Sequence, residues 1–245
     1  EQKMNSIDFV ILSPGVPTDL PFVVKLQENN IPVWGEIELA YLCGKGKLFA
    51  ITGTNGKTTT TTLVGEILKK CYPEVFVAGN IGIPYTSIVE KTTEQTVTVT
   101  EISSFQLETM ETFHPSVSAI LNITPDHLNR HHTMANYIAA KESIVKNQTR
   151  DDLCVLNYND EVLRAFGKTL EQKVVLFSST ETLDAGLYLQ ENEILWARNG
   201  KTEHIISVEE LNILGAHNYE NVMAAVALCD GMGVPMETIR EGLRD

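Results

Sequence analysis

The feature that most restricts this chain is a strand-like run, LFAIT at 48–52, which leads straight into Gly53-Thr54-Asn55-Gly56-Lys57-Thr58 and then into a helix-forming stretch to about residue 70. A strand that ends in a glycine loop and enters a helix leaves backbone N–H groups and the helix N-terminus facing an anion. Lys57 supplies a point charge in that setting, and the Thr58 hydroxyl can hold Mg²⁺. The common phosphate loop carries an additional glycine where this chain has Ile51, so the loop is a variant. A plain glycine turn capping a helix is the blander reading. The five threonines at 58–62 are poor helix formers, so something other than propensity fixes the start of the helix.

Around this unit, apolar β-prone runs alternate with helical stretches. EVFVA (74–78) leads into Gly79-Asn80-Ile81-Gly82, and TVTVTEIS (96–103), SVSAILNI (116–123), LCVLN (153–157) and VVLFS (174–178) are further buried-strand candidates. This alternation predicts an α/β fold with a mostly parallel, doubly wound sheet. Between 186 and 208 the rhythm shifts to short strands separated by Gln190-Glu191-Asn192 and Asn199-Gly200, which predicts a small antiparallel ribbon. Two helices, near 217–230 and 236–244, close the sequence. Upstream, the run at 7–12 ends in the turn Ser13-Pro14-Gly15, followed by a helical stretch at 19–29, a strand at 31–34 and a helix at 35–42. That segment looks like the tail of another α/β domain. The glycines at 44 and 46 place the boundary, giving 1–46 and 47–245 as the two units.

Composition excludes several classes. Thirty-two acidic residues against 19 basic ones give a net charge of −13, which argues against a nucleic-acid surface, since phosphate backbones are held by clustered Lys and Arg. A small phosphorylated ligand needs only a local positive field. The four cysteines, at 43, 71, 154 and 229, form no CxxC pair and fit a reducing cytoplasm rather than a disulfide framework or a zinc ribbon. No apolar run is long enough for a membrane span and no secretion leader is visible. The chain opens at Glu1 and is read as a fragment and as a monomer.

Three further constellations could carry chemistry. In the helix predicted at 133–147, Met134, Tyr137, Ile138, Ile144 and Val145 follow the 3.6-residue period, and Lys141 falls on their face. Such a lysine either snorkels to the surface or lies buried beside a metal or phosphate, where burial depresses its pKa. Glu101 ends one strand and Asp126-His127 follows another by a short loop, and in an open parallel sheet ligands bind beyond the carboxyl ends of the strands. Loop 53–58, Glu101 and Asp126-His127 are therefore expected on one edge; His131 and His132 could join them, although a polar loop suffices to explain both. Finally, His217 and Asn221 lie one helical turn apart, where they could face a nucleotide base, although His217 or Asn218 could equally be an N-cap.

Taken together, GTNGKTT (53–59), GNIG (79–82), EISSFQL (101–107), NITPDHLNRH (122–131), the AAK ending at Lys141 and GAHNYEN (215–221) resemble the Mur ligases, the ATP-dependent amide-forming enzymes of peptidoglycan synthesis. They occur in the family's order and cover nearly the whole chain. SSFQL and the SPGV loop at 13–16 look like the D-glutamate-adding branch. Asn129 stands where that family usually has Asp.

The resemblance implies UDP-N-acetylmuramoyl-L-alanine, D-glutamate and ATP as substrates, an acyl phosphate formed from the γ-phosphate, and its displacement by the amine. It further implies that Gly53, Thr54, Asn55, Gly56, Lys57, Thr58 and Thr59 cradle ATP, with Lys57 on the β- and γ-phosphates and Asn218 and Asn221 near adenine. Two Mg²⁺ ions are implied, one on Thr58 and Glu101, the other on His127 and Lys141, the lysine carbamylated. Lys57, Glu101, His127 and Lys141 would carry the catalysis, Asn80 and Ser103 would lie near the UDP-linked substrate, and Ser13 and Gly15 would touch its uridine diphosphate. The rivals are another ligase of this type, such as a folylpolyglutamate synthase, and a non-catalytic nucleotide-binding module.

Overall fold

The structure, a computed structural model, describes residues 6–213 and 215–245, so the first five residues of the 1–46 unit lie outside the described residues. Val10–Leu12 (β1), Pro21–Glu28 (α1) and Val33–Gly35 (β2) come first, and β1 and β2 pair in parallel as a separate two-stranded sheet. After Glu36–Cys43 (α2) follow Lys47–Thr52 (β3), Lys57–Lys69 (α3), Val75–Gly79 (β4) and Val97–Glu101 (β5). Next come Ser104–Leu107 (α4), Val117–Ile120 (β6), Leu128–His131 (α5), Met134–Glu142 (α6), Leu153–Asn157 (β7), Glu161–Gly167 (α7) and Lys173–Ser178 (β8). Gly186–Gln190 (β9), Glu193–Arg198 (β10), Lys201–Ser207 (β11), Ala216–Gly231 (α8) and Met236–Arg244 (α9) complete the described chain.

Among the described residues the main sheet has nine strands, in the order β11-β10-β9-β8-β7-β6-β3-β5-β4. Every neighbouring pair from β4 across to β9 is parallel, and β10 and β11 run antiparallel. The expected ribbon is thus present, and it extends the parallel sheet through β9 instead of standing apart from it.

Strand periodicity decides which helices cover which face. Phe49 and Ile51 of β3, Val117 and Ala119 of β6, and Leu153 and Val155 of β7 share a core with Val64 and Ile67 of α3, Val222 to Cys229 of α8, and Ile239 of α9. Their neighbours Leu48, Ala50, Ile120, Cys154 and Leu156 point the other way, against Ile37 of α2, Tyr137 of α6 and Leu163 of α7. A strand buried on both faces must be apolar at nearly every position, which is why LFAIT and LCVLN read as unbroken runs. Each large side chain taken fully from water contributes roughly 1.5–3 kcal/mol.

The second core reaches into the first 46 residues. Glu38 of α2 is wholly buried, and its carboxylate accepts hydrogen bonds from the N–H groups of Glu111 (3.0 Å), Thr112 (2.7 Å) and Phe113 (3.0 Å). A buried carboxylate is tolerated only when satisfied in this way. Helix α2 is therefore latched to the turn that precedes β6.

The strand expected over 96–103 stops at Glu101, and two other elements also end earlier than their sequence suggests. The run 116–123 leaves the ladder after Ile120, because its next residues serve the glycine loop: Thr54 N donates to Asn122 O (2.9 Å) and Asn55 N to Asn122 Oδ1 (2.8 Å). The helix expected over 133–147 is α-helical only to Glu142 and tightens into a 3₁₀ turn at Ser143–Val145.

Candidate functional site

From β3 the chain passes to β4 at the sheet edge, returns through β5 and then crosses over to β6. That change of direction opens a crevice beyond the carboxyl ends of β3, β5 and β6, where an open α/β sheet holds its ligand. Loop 53–58 leaves β3 there, Glu101 ends β5, and Asp126-His127 follows β6. The three expected partners are brought to one edge.

The glycine loop is built by packing as well as by conformation. Gly56 has φ 84°, and a Cβ at that position would overlap Asn221 Oδ1. Asn221, 6% exposed, also accepts from Thr60 Oγ1 at 3.3 Å, so α8 presses directly on the start of α3. Here lies the answer to the run of threonines: tertiary contacts hold the first turn of α3, and Thr60 and Thr61 are wholly buried.

Around the loop the polar groups converge. Thr58 Oγ1 donates to Glu101 Oε2 at 2.8 Å, and Asn80 Nδ2 donates to Glu101 Oε1 at 2.7 Å. Lys57 Nζ donates to Gly53 O (3.0 Å) and Thr54 O (2.9 Å), curled onto its own loop. Burial lowers the Lys57 pKa against the opposing pull of Glu101 and Asp126.

Lys141 does not snorkel to the surface. It is 2% exposed, donates from Nζ to Gly53 O at 2.8 Å, and lies over the Tyr137 ring, 4.9 Å from its centroid. Burial first, and then the neighbouring Lys57 charge, push its pKa down to about 7, with Asp126 opposing. The same Tyr137 shares a 3.0 Å hydrogen bond with Thr54 Oγ1, tying α6 to the loop.

His127 has a left-handed backbone (φ 51°), its Nε2 lies 3.3 Å from Asp126 Oδ2, and its ring rests on Phe105. These groups border a cleft of about 290 Å³ whose walls include Lys57, Asn80, Ser103, His127 and Lys141. Pro14 of the 13–16 loop also reaches this wall, while Ser13 and Gly15 beside it are exposed and do not line it. A second cavity of about 620 Å³ lies between the loop and α8, bordered by Asn55, Gly56, Thr59, His217, Asn218 and Asn221. Asn129 is exposed on α5, away from the cleft walls.

The donor chemistry can be tested for Mg²⁺. The Thr58 hydroxyl and the Glu101 carboxylate are adjacent oxygens of the type a hard cation takes, and they fit one ion. As an ammonium, Lys141 repels a cation; only an anionic oxygen form of its side chain fits a second ion beside His127. Among the described residues no three His, Cys, Asp or Glu side chains gather around a common point.

Sequence reasoning missed Asn122, Tyr137, Ser104 and Glu108 as contributors to this edge and left His131 between joining it and being a polar loop residue. His131 is 4% exposed, hydrogen-bonded to Ser104 through Nε2 and 3.3 Å from Glu108 through Nδ1, not a solvated loop residue. The four cysteines are free, two exposed and two buried, and no described helix is long and apolar enough to cross a membrane.

The family model "Mur ligase middle domain" matches residues 51–229. A UDP-N-acetylmuramoylalanine--D-glutamate ligase of Lachnoclostridium phytofermentans is 57% identical over 98% of this chain and 53% of its own length. The protein of the same name from Clostridioides difficile is 46% identical over 99% of this chain and 54% of its own. The chain thus spans about half the length of the curated relatives it matches. Among solved structures, the UDP-N-acetylmuramate:L-alanyl-gamma-D-glutamyl-meso-diaminopimelate ligase from Neisseria meningitides superposes with TM-score 0.68 at 16% identity, covering 97% of this chain and 78% of that one. MurF ligase from Thermotoga maritima in complex with ADP gives TM-score 0.61 at 18% identity, over 97% and 64% of the two chains. At such identities the superpositions speak for the fold alone, whereas the match over 51–229 assigns the family: the chain belongs to the Mur ligases and carries their middle domain.

Proposed function

We propose that this chain is the nucleotide-binding part of an ADP-forming ligase that joins D-glutamate to UDP-N-acetylmuramoyl-L-alanine. The observation that carries the reading is the cluster at the loop: the Thr58 hydroxyl on the Glu101 carboxylate, with buried Lys141 bonded to Gly53 O on the same loop. A non-catalytic binding module has no use for a buried lysine there. The D-glutamate assignment draws its support from the relatives of that name at 57% and 46% identity.

In this reading the N–H groups of residues 53–58 and the start of α3 hold the β- and γ-phosphates of ATP, and Lys57 turns from its loop carbonyls onto them. Mg²⁺ on Thr58 and Glu101 would neutralise charge that grows on the transferring phosphoryl group. Asn80 keeps the Glu101 carboxylate oriented by occupying its second oxygen. Lys141, with its pKa near 7, offers a neutral amine able to take up CO₂ and become the anionic ligand that His127 needs as a partner. The 620 Å³ cavity takes adenine, with Asn218 and His217 on its wall and Asn221 bracing the loop. Asn80 and Ser103 face the acyl end of the UDP-linked substrate, and the 1–46 unit, latched through Glu38, continues toward its uridine diphosphate through Ser13 and Gly15.

The test is amino-acid-dependent phosphate release by the full-length protein, given ATP, Mg²⁺ and UDP-N-acetylmuramoyl-L-alanine. Stimulation by D-glutamate, and not by L-lysine, meso-diaminopimelate or L-glutamate, is the expected result. Stimulation by another amino acid instead would move the protein to a different branch of the family.

A further inference from the structure

Ser104, His131 and Glu108 form a polar chain, hydrogen-bonded from Ser104 to His131 and at ion-pair distance from His131 to Glu108, that the functions assigned above leave unused. His131 Nε2 lies 2.9 Å from Ser104 Oγ, and Nδ1 lies 3.3 Å from Glu108 Oε1. Ser104 and His131 are 3% and 4% exposed, and Ser104 forms part of the cleft wall beside Lys57 and Lys141. Glu108 is ion-paired with Arg130, whose Nη2 is 2.7 Å from Oε2.

The chemistry of the three groups fixes the direction of the chain. A carboxylate paired with a guanidinium only accepts, so His131 Nδ1 carries the hydrogen and Nε2 of the neutral ring is an acceptor. The Ser104 hydroxyl therefore donates to Nε2, and its oxygen lone pairs remain for whatever fills the cleft. A hydroxyl backed by an imidazole that a carboxylate orients is the arrangement of a proton-accepting relay. The other groups on the wall have their own tasks: Lys57 and Lys141 donate to Gly53 O, Asn80 donates to Glu101, and Asp126 holds His127.

We propose that Ser104 accepts the proton given up by the attacking amine while passing its own to His131, which Glu108 orients. This rests on the ligase reading. The amine nitrogen bonds to the acyl carbon, the bond from that carbon to the phosphate oxygen breaks, and phosphate leaves with the electron pair. The nitrogen's proton goes to Ser104 Oγ as the Ser104 proton goes to Nε2, and the imidazolium so formed sits against Glu108 before releasing its proton to solvent. Ser104 is then a catalytic residue and His131 a positioning residue that acts through it.

The surroundings favour a ring that waits unprotonated. Burial lowers the His131 pKa; Glu108 opposes this, while Arg130 reinforces it. The rings of Phe105 and Tyr137, 5.5 and 5.2 Å away, enclose it.

The experiment separates the two halves of the reaction in the full-length protein. Acyl phosphate formed without amino acid is trapped with borohydride, and amide formation is followed with D-glutamate present. Ser104→Ala and His131→Gln are expected to lose about 10²-fold in amide formation, the lower range for a general base, and at least ten-fold less in phosphoryl transfer. His131→Gln should also flatten the acidic limb of kcat against pH. Equal loss in both halves means a structural role, and no loss means no role; either overturns the proposal. Should His131→Gln fail to fold, Ser104→Ala decides by the same ratio, since it leaves the ring in place. A wild-type protein that forms no acyl phosphate at all overturns the ligase reading and this inference with it.

Discussion

Thr58 Oγ1 donates to Glu101 Oε2 across 2.8 Å, joining the first turn of α3 to the carboxyl end of β5. The pair is a direct consequence of strand order, because β3 and β5 are hydrogen-bonded neighbours with Ile51 opposite Glu101. A threonine at the start of the helix and a glutamate at the strand end then meet without any loop rearrangement. Thr58→Val, nearly isosteric, removes one oxygen donor and leaves Glu101 held by Asn80 alone. The expected result is about ten-fold weaker binding of a non-hydrolysable Mg·ATP analogue, about 1.4 kcal/mol, with little change when Mg²⁺ is withheld. Calorimetry at two Mg²⁺ concentrations decides, and equal loss under both would remove the metal from the argument.

Lys57 is prepared for phosphate by being partly desolvated and, among the described residues, hydrogen-bonded only to backbone carbonyls of its own loop. Exchanging neutral acceptors for phosphate oxygens gains a charge-assisted bond. Lys57→Ala should therefore cost about 2 kcal/mol of nucleotide affinity, within the range for hydrogen bonds to charged groups. Unchanged affinity by calorimetry in a folded variant would put the phosphates elsewhere.

Most of the sheet was legible, and for one physical reason. A strand covered on both faces cannot hide its apolar character, so 48–52, 153–157 and 174–178 could be read directly. The glycine loop was legible because strand, glycines, lysine and helix occur in one continuous stretch. What escaped were contacts between distant residues. From sequence His131 is either part of the site or one polar residue in a polar loop, and only the fold brings Ser104 and Glu108 to its two nitrogens. Asn221, expected near the base, borders the second cavity, but its packing on Gly56, where a glycine is needed to make room, has no sequence signal. The latch of Glu38 on 111–113 was equally hidden, since a buried carboxylate with three N–H partners has no sequence pattern.

The Gly56–Asn221 contact gives a third prediction. Gly56→Ala meets two penalties, a left-handed φ of 84° and overlap with Asn221 Oδ1. Gly200 has a similar φ of 70° but open space around it, so Gly200→Ala meets the first penalty alone. The expected cost is roughly 1–2 kcal/mol for Gly200→Ala and roughly 1–3 kcal/mol more for Gly56→Ala, from crowding. Urea unfolding of both variants measures the difference. Adding Asn221→Gly should recover the crowding part in Gly56→Ala and nothing in Gly200→Ala; without such recovery the two positions are not in conflict.

Lys141 makes the protein's stability depend on pH in a stated direction. Its pKa falls from 10.5 unfolded to about 7 folded, chiefly through burial. Between those values the unfolded chain binds more protons than the folded one, so stability rises as pH rises through about 7 and levels off near 10.5. The slope cannot exceed about 1.4 kcal/mol per pH unit for one proton. Lys57, shifted the same way by burial, adds to it. Below pH 7 the buried ammonium is carried at a cost that its bonds to Gly53 O and Thr52 only partly offset. Lys141→Met fills the same space without the charge and should flatten the rise in urea midpoint between pH 7 and 9.5, measured in CO₂-free buffer to keep the amine unmodified. Labelled bicarbonate then tests the other half of the argument: a neutral amine at pH 8 should yield a carbamate carbon signal in the wild type that Lys141→Met lacks. An unaltered pH slope in the variant would mean that Lys141 is not the group that titrates, and the case for its conversion to an anionic ligand would go with it.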